Sequence, residues 1–305
     1  MTRRPILLLV NPVAGGKPGS GPSLHDDPER LRPEALEAAL RERDIDVRLH
    51  QLGEEDDVGA LARDAADDGR DVVVAGGDGT VSRVAAAMLG HAEATLGILA
   101  MGSFNNMARG FGIPVTLDEA LDVIGAGRTG MMDAGWVARG QGDGQPFFEA
   151  AGVGVDALGF LAVEVAERRG WWRAIRALLR GMRLRKTPMR ITLDGAPYRT
   201  GGPAVTVSNG PYHGAGFIVS AEADPTDGVL DVAVFQGMTR LEVIRHFLAV
   251  ARRKQRREPR IKQYRATRVT IEGTRRALPA HADGSSIGVT PVTFEVRPSA
   301  LRVYR

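Results

Sequence analysis

Apolar and polar positions alternate in two different rhythms along the chain. The run Ile6–Val10 is short, apolar and closed by Asn11-Pro12, which reads as a first β-strand. Residues 32–43 place Leu36 and Leu40 at helical spacing. Residues 46–51 then read as a strand, 57–68 as a helix, 72–75 as a buried strand and 81–89 as a helix. Residues 96–100 read as another strand, with helices near 106–110 and over 117–124. Repeated strand–helix units predict a parallel sheet covered by helices.

The rhythm changes near residue 132. Residues 147–155 read as a strand and a bend, and 161–184 as a long basic helical stretch interrupted near Gly170. Short alternating segments follow at 189–193, 204–208, 230–235, 268–271 and 292–296, punctuated by Gly, Pro, Asn and Asp, with one helix at 241–253. The expected fold is α/β: an N-terminal α/β domain with a parallel sheet over residues 1–132, then a β-rich, sandwich-like domain over 133–298. Residues 299–305 are expected to return to the first domain.

Composition narrows the chemistry. A chain of 305 residues with 43% hydrophobic and 25% charged residues is ordinary for a two-domain globular protein. The absence of cysteine excludes disulfides, thiolate metal sites and thiol catalysis. Met1–Pro5 before the apolar run imitates a signal peptide, but five apolar residues are too few, and no stretch approaches the roughly 20 a membrane span needs. A cytoplasmic protein, peripheral at the inner membrane face, is the expectation. The net charge of +3 is unevenly spread. Seven basic residues between Arg173 and Arg190 follow Trp171 and Trp172 without an acid. A second basic cluster runs from Arg252 to Arg268 with Glu258 as its one acid. Such fields favour an anionic partner such as a membrane surface; the plainer alternative is a solvated helix face over buried tryptophans. No nucleic-acid motif accompanies the charge, so nucleic acid is not expected. A homodimer stays open.

Three polar loops follow strands of the first domain: Asn11 to Lys17, Gly76-Gly77-Asp78-Gly79-Thr80, and Met101 to Arg109. Ligands of open α/β sheets bind beyond the carboxyl ends of the strands, so one shared pocket is expected. Glycines let backbone N–H groups converge on an anion, and a helix starting at Thr80 adds its N-terminus. Asp78 within such a loop makes sense if it holds Mg²⁺ or meets a ribose or substrate hydroxyl; the plainer reading is a capped strand–helix turn. Gly16-Lys17 is followed by Pro18, so no P-loop is present, and no G-x-G-x-x-G follows a strand. His213 and His281 read as structural.

The ordered set Asn11-Pro12, Gly76–Thr80 and Gly102-Ser103-Phe104-Asn105-Asn106-Met107-Ala108-Arg109 resembles the catalytic domain of diacylglycerol and sphingosine kinases. Ser208-Asn209-Gly210, Asp227-Gly228-Val229-Leu230-Asp231-Val232 and Ala300–Val303 extend the resemblance over the chain. It implies a lipid kinase using ATP and Mg²⁺, with its site in the cleft between an α/β domain and a β-sandwich. By the same resemblance Asn11, Gly76, Gly77, Gly79, Thr80, Gly102, Ser103 and Asn105 line the nucleotide site, and Asp78 and Asp133 serve catalysis and metal order. Two departures stand out. Ser285 replaces the glutamate that the family's Asp-Gly-Glu offers as a base, leaving Asp283 as a substitute or a turn residue. Thr226-Asp227 replaces Asp-Asp, so a structural metal at Asp224 and Asp227 competes with a plain β-turn. A weakly catalytic nucleotide- or lipid-binding protein and an NAD kinase-like enzyme are the alternatives.

Overall fold

A computed structural model describes residues 4–14, 28–140, 142–154, 188–200, 202–214, 216–218, 220–251 and 258–305. The expected loop over 15–22, the basic helical stretch over 161–184 with Trp171 and Trp172, and residues 252–257 lie outside the described residues. The chain forms two compact units, Met1–Asp133 with Pro298–Arg305, and Ala134–Arg297.

In the first unit, β1 (Ile6–Val10), β2 (Val47–Gln51), β3 (Asp71–Gly76) and β4 (Thr95–Ala100) are parallel in the order β2-β1-β3-β4. The last strand, β18 (Val292–Tyr304), adds Arg302 and Val303 beside β4 in parallel. Between strands run α1 (Pro33–Arg41), α2 (Val58–Asp67), α3 (Asp78–Met88), α4 (Asn106–Gly110) and α5 (Leu117–Ala126). Local rules account for their starts. Proline opens α1, where its missing N–H costs nothing. Asp57 caps α2 by accepting the Gly59 and Ala60 N–H groups. Helix α3 begins at Asp78, ahead of the 81–89 span the sequence suggests, so Asp78, Gly79 and Thr80 form its first turn.

β1 and β3 are buried along their whole length, as both-face coverage requires. Leu36 and Leu40 of α1 and Leu121 and Ile124 of α5 join that core. Asp71 is buried at the start of β3. It accepts the Thr95 N–H at 2.8 Å and the Tyr304 hydroxyl at 2.6 Å, tying β4 and the end of β18 to β3.

The second unit is antiparallel. After β5 (Thr129–Ala138) and β6 (Gln145–Phe147), the strands are β7 (Ala150–Gly154), β8 (Met189–Leu193), β9 (Ala196–Thr200), β10 (Ala204–Ser208), β11 (Tyr212–His213) and β12 (Phe217–Ile218). Then come β13 (Leu230–Phe235), α6 (Arg240–Ala251), β14 (Ile261–Ala266), β15 (Arg268–Gly273), β16 (Pro279–Ala282) and β17 (Ser285–Val289). One sheet has the order β14-β13-β10-β7-β16-β17. A second layer pairs β9, β8, β15 and the first part of β18. Inward residues of both layers, among them Val153, Val207, Val232, Ile191, Val269 and Phe294, share one core. Thr239 and Glu242 cap α6 reciprocally.

The structure modifies three sequence expectations. Strands β9, β14 and β17 do not stand out by their apolar pattern, because each carries exposed polar positions. The strand expected over 292–296 continues to Tyr304 as one 13-residue strand. The described part of the second basic cluster is not an open positive field: Arg260 pairs with Glu258 and Glu242, Arg265 with Asp227, and Arg268 with Glu295. A linear window sees Glu258 alone because the other acids arrive from other strands and helices. Among the described residues, no helix is long and apolar enough to cross a membrane.

Candidate functional site

The carboxyl ends of β1, β3 and β4 lie side by side, with Val10 opposite Ala75 and Gly76 opposite Ala100. The three loops that leave them are therefore neighbours. The Asn11 N–H donates to the Ala75 carbonyl at 2.9 Å, and the Met101 N–H to the Gly76 carbonyl at 3.0 Å. The Asn11 amide donates to Thr80 Oγ1 at 2.9 Å, and its Oδ1 accepts the Val13 N–H. Asn11 thus joins the first loop to the first turn of α3.

Glycine is required where the second and third loops meet. A Cβ on Gly102 would stand 2.7 Å from the Gly77 Cα and 2.9 Å from Asn105 Oδ1. A Cβ on Gly79 would meet nothing within 4 Å, so Gly79 faces open space. Asn105 is buried in a left-handed conformation, with φ at 52°. Its Oδ1 accepts the Gly102 N–H at 2.8 Å and its amide donates to the Gly102 carbonyl at 3.0 Å. This side chain organises its own loop. Ser103 is half-buried and Phe104 exposed between them.

Gly77 begins α3 without a side-chain cap, its carbonyl accepting the Thr80 and Val81 N–H groups. An uncapped helix N-terminus beside glycine loops favours an anion. Asp78 sits there with its Oδ1 accepting the Met107 N–H at 3.3 Å. Burial pushes its carboxyl above the ordinary 3.8, against the pull of N–H donors from Met107, Asn106 and Asn105. Asp133 is buried, and its Oδ1 accepts the Ser299 N–H at 2.7 Å.

Asp283 belongs to the second unit. It turns the chain between β16 and β17 with φ at 42°, followed by Gly284 at 77°. Its carboxylate accepts three backbone N–H groups, from Phe148 at 2.7 Å, Glu149 at 2.9 Å and Ala150 at 3.2 Å. Burial pushes its carboxyl up, against those three donors and the nearby His281. Ser285 is exposed. Asp224 accepts from the Thr226 N–H and hydroxyl, while Asp227 accepts the Val229 N–H and pairs with Arg265. Both carboxylates serve their turn. Among the described residues, no three His, Asp or Glu side chains gather as a metal cage. Asp78, at the uncapped start of α3, is the carboxylate there that could hold a magnesium ion carried on phosphates, a cation that needs only one or two protein carboxylates.

Residues 5–137 match the family described as diacylglycerol kinase catalytic domain, and residues 151–305 the one described as YegS C-terminal NAD kinase beta sandwich-like domain. A protein of Mycobacterium tuberculosis named diacylglycerol kinase is 30% identical over 276 residues, covering 88% of this chain and 87% of that protein. The chain belongs to the diacylglycerol kinase family. A second relative of this family member, from Escherichia fergusonii and named "Probable lipid kinase YegS", is 29% identical over 69% of the chain and 71% of its own length. The crystal structure of a diacylglycerol kinase from Bacillus anthracis shares the fold with a TM-score of 0.70 at 21% identity, covering 100% of this chain and 97% of that one.

Glu149 is the acid in Phe147-Phe148-Glu149-Ala150-Ala151, and its backbone is what Asp283 holds.

Proposed function

We propose that the chain is an ATP-dependent kinase that phosphorylates a hydroxyl of diacylglycerol or a related lipid. The observation that carries this reading is the glycine contact in the first unit, where Gly77 and Gly102 leave no room for a side chain beside an uncapped helix N-terminus. Backbone N–H groups there are fitted to the phosphates of the nucleotide, with Asn11 and Thr80 fixing the loops and Asn105 holding the third loop in shape. Gly76 and Ser103 complete the lining. Magnesium, when bound with the nucleotide, supplies charge neutralisation at the phosphate oxygens. Asp78 is the carboxylate we assign to hold it, and Asp133 orders the same region. The second unit receives the lipid, and a transient anionic membrane surface delivers it.

The test is phosphate transfer from radiolabelled ATP to extracted lipids with Mg²⁺, wild type beside Asp78→Asn. A labelled lipid is expected, and the variant is expected to fold and to lose at least about 100-fold in rate, the scale on which an electrostatic group acts in phosphoryl transfer. A fully active variant would sink the assignment of Asp78.

A second reading rests on Ser285, which offers no carboxylate, and on Asp283, whose oxygens already accept three N–H groups. It is a weakly catalytic nucleotide- or lipid-binding protein, and it predicts ATP binding without labelled lipid. NAD phosphorylation without lipid turnover would favour a soluble-substrate kinase instead.

A further inference from the structure

A structural cation at Asp224 and Asp227 would have to gather about six oxygens around it, since magnesium and calcium both demand that many. The oxygens of this turn in the second unit already have donors. Asp224 Oδ1 accepts the Thr226 N–H at 3.0 Å and the Thr226 hydroxyl at 2.7 Å, and the Asp224 carbonyl accepts the Asp227 N–H at 3.3 Å. Asp227 Oδ1 accepts the Val229 N–H at 3.1 Å, and Asp227 Oδ2 accepts from the Arg265 guanidinium. A divalent ion on Asp227 would stand close beside that guanidinium, and like charges so near repel strongly. A metal does not fit this turn while Arg265 is in place.

The sheet explains how Arg265 arrives there. It lies on β14, directly opposite Asp231 of β13 in the antiparallel register. Opposed residues of an antiparallel pair project on the same face. Asp231 is buried, and Asp227 lies in the turn that leads into its strand. Burial and the negative charges of Asp227 and Glu222 push the Asp231 carboxyl above the ordinary 3.8, against the Arg265 guanidinium and a hydrogen bond from Ser220. One guanidinium thus faces two carboxylates. It also pins β14, the outermost strand of its sheet, to the turn before the neighbouring strand. Arginine keeps its charge at every working pH and aims fixed donors at carboxylates. It supplies at this turn the positive charge that a bound ion would supply.

We infer that Arg265 takes the place of a structural cation at this turn, so that the turn holds its shape without a bound metal, and that removing Arg265 opens a divalent cation site at Asp227 and Asp231. None of this depends on which substrate the chain phosphorylates. On the kinase reading, magnesium then serves the nucleotide and not this turn.

The experiment is thermal unfolding of the full chain, without nucleotide or lipid, in EDTA and in rising magnesium or calcium chloride. It compares wild type, Asp227→Asn, Arg265→Ala and the double variant Arg265→Ala with Asp227→Asn. Wild type and Asp227→Asn are expected to respond alike to the added ion, because Asp227 holds none. Arg265→Ala is expected to melt below wild type in EDTA. It is also expected to gain a rise in Tm that grows with the logarithm of ion concentration and reaches about 2–4 °C or more. The double variant is expected to lose that rise. A wild type that responds more strongly than Asp227→Asn overturns the inference, since Asp227 would then hold a metal beside Arg265. A folded Arg265→Ala that gains no rise overturns it too, as does a rise that survives in the double variant. If Arg265→Ala does not fold, wild type against Asp227→Asn decides alone: equal responses support the inference, and a larger one in wild type refutes it.

Discussion

Burying a carboxylate disfavours its charged form, and a protein keeps one buried where a cation or a hydrogen-bonding partner needs it. The half-buried Asp78 feels this cost, its carboxyl raised above the ordinary 3.8 by partial burial. The sign of the linkage follows. Between 3.8 and the raised value the folded chain binds more protons than the unfolded chain, so this residue lowers stability as pH rises through that window. Asp78→Asn removes the penalty. The variant is expected to melt above wild type at neutral pH, with the difference shrinking as pH falls through 3.8, below which both states come to carry a neutral acid. Paired thermal unfolding at pH 3.5 and 7.5 checks this. Gained stability with lost activity is the pattern of a site residue; lost stability would mark Asp78 as a structural cap.

At the scale of elements, the parallel sheet is held at one end by a single buried acid. Asp71 joins β3 to the Thr95 N–H of β4 and to the Tyr304 hydroxyl of β18. Tyr304→Phe removes that hydroxyl and leaves the carboxylate short of one donor. The expected loss is about 1–3 kcal/mol, read as a lower urea midpoint with an unchanged m-value. An unaltered midpoint would show that water replaces the hydroxyl freely. The same scale explains the basic strand β14. Its Arg265 looks unpaired in the sequence, yet Asp227 reaches it from the turn before β13. Charge read along one strand misses what the neighbouring elements bring.

At the scale of the molecule, the first unit is built from two distant pieces of chain. Pro298–Arg305 belongs to it, and Leu301, Val303 and Tyr304 are buried there. Burial of such side chains is worth about 1.5–3 kcal/mol each, against a total stability of about 5–15 kcal/mol for a domain. A chain ending at Arg297 is expected to lose cooperative folding of the first unit, and with it ATP binding. Limited proteolysis followed by mass spectrometry reads this directly. Protection of residues 28–133 equal to that of the full chain would refute it.

The sequence by itself determined the alternation of β1 to β4 with their helices, the change of rhythm after residue 132, and the three loops around Asn11, Asp78 and Asn105. These are local facts: periodicity, glycine spacing and strand-end polarity are written within a few residues of one another. It also offered a turn as one of two readings of Asp283, since Asp-Gly favours left-handed backbone. What that carboxylate binds was not legible, because its Phe148 donor lies 135 residues away in the chain. The acids paired with the arginines of the second unit were hidden for the same reason. Hydrophobic pattern sets which face of an element is buried. Only the tertiary structure decides which side chains from distant strands meet at one end of a sheet, because hydrogen bonds and ion pairs depend on distances in space that the order of residues does not fix.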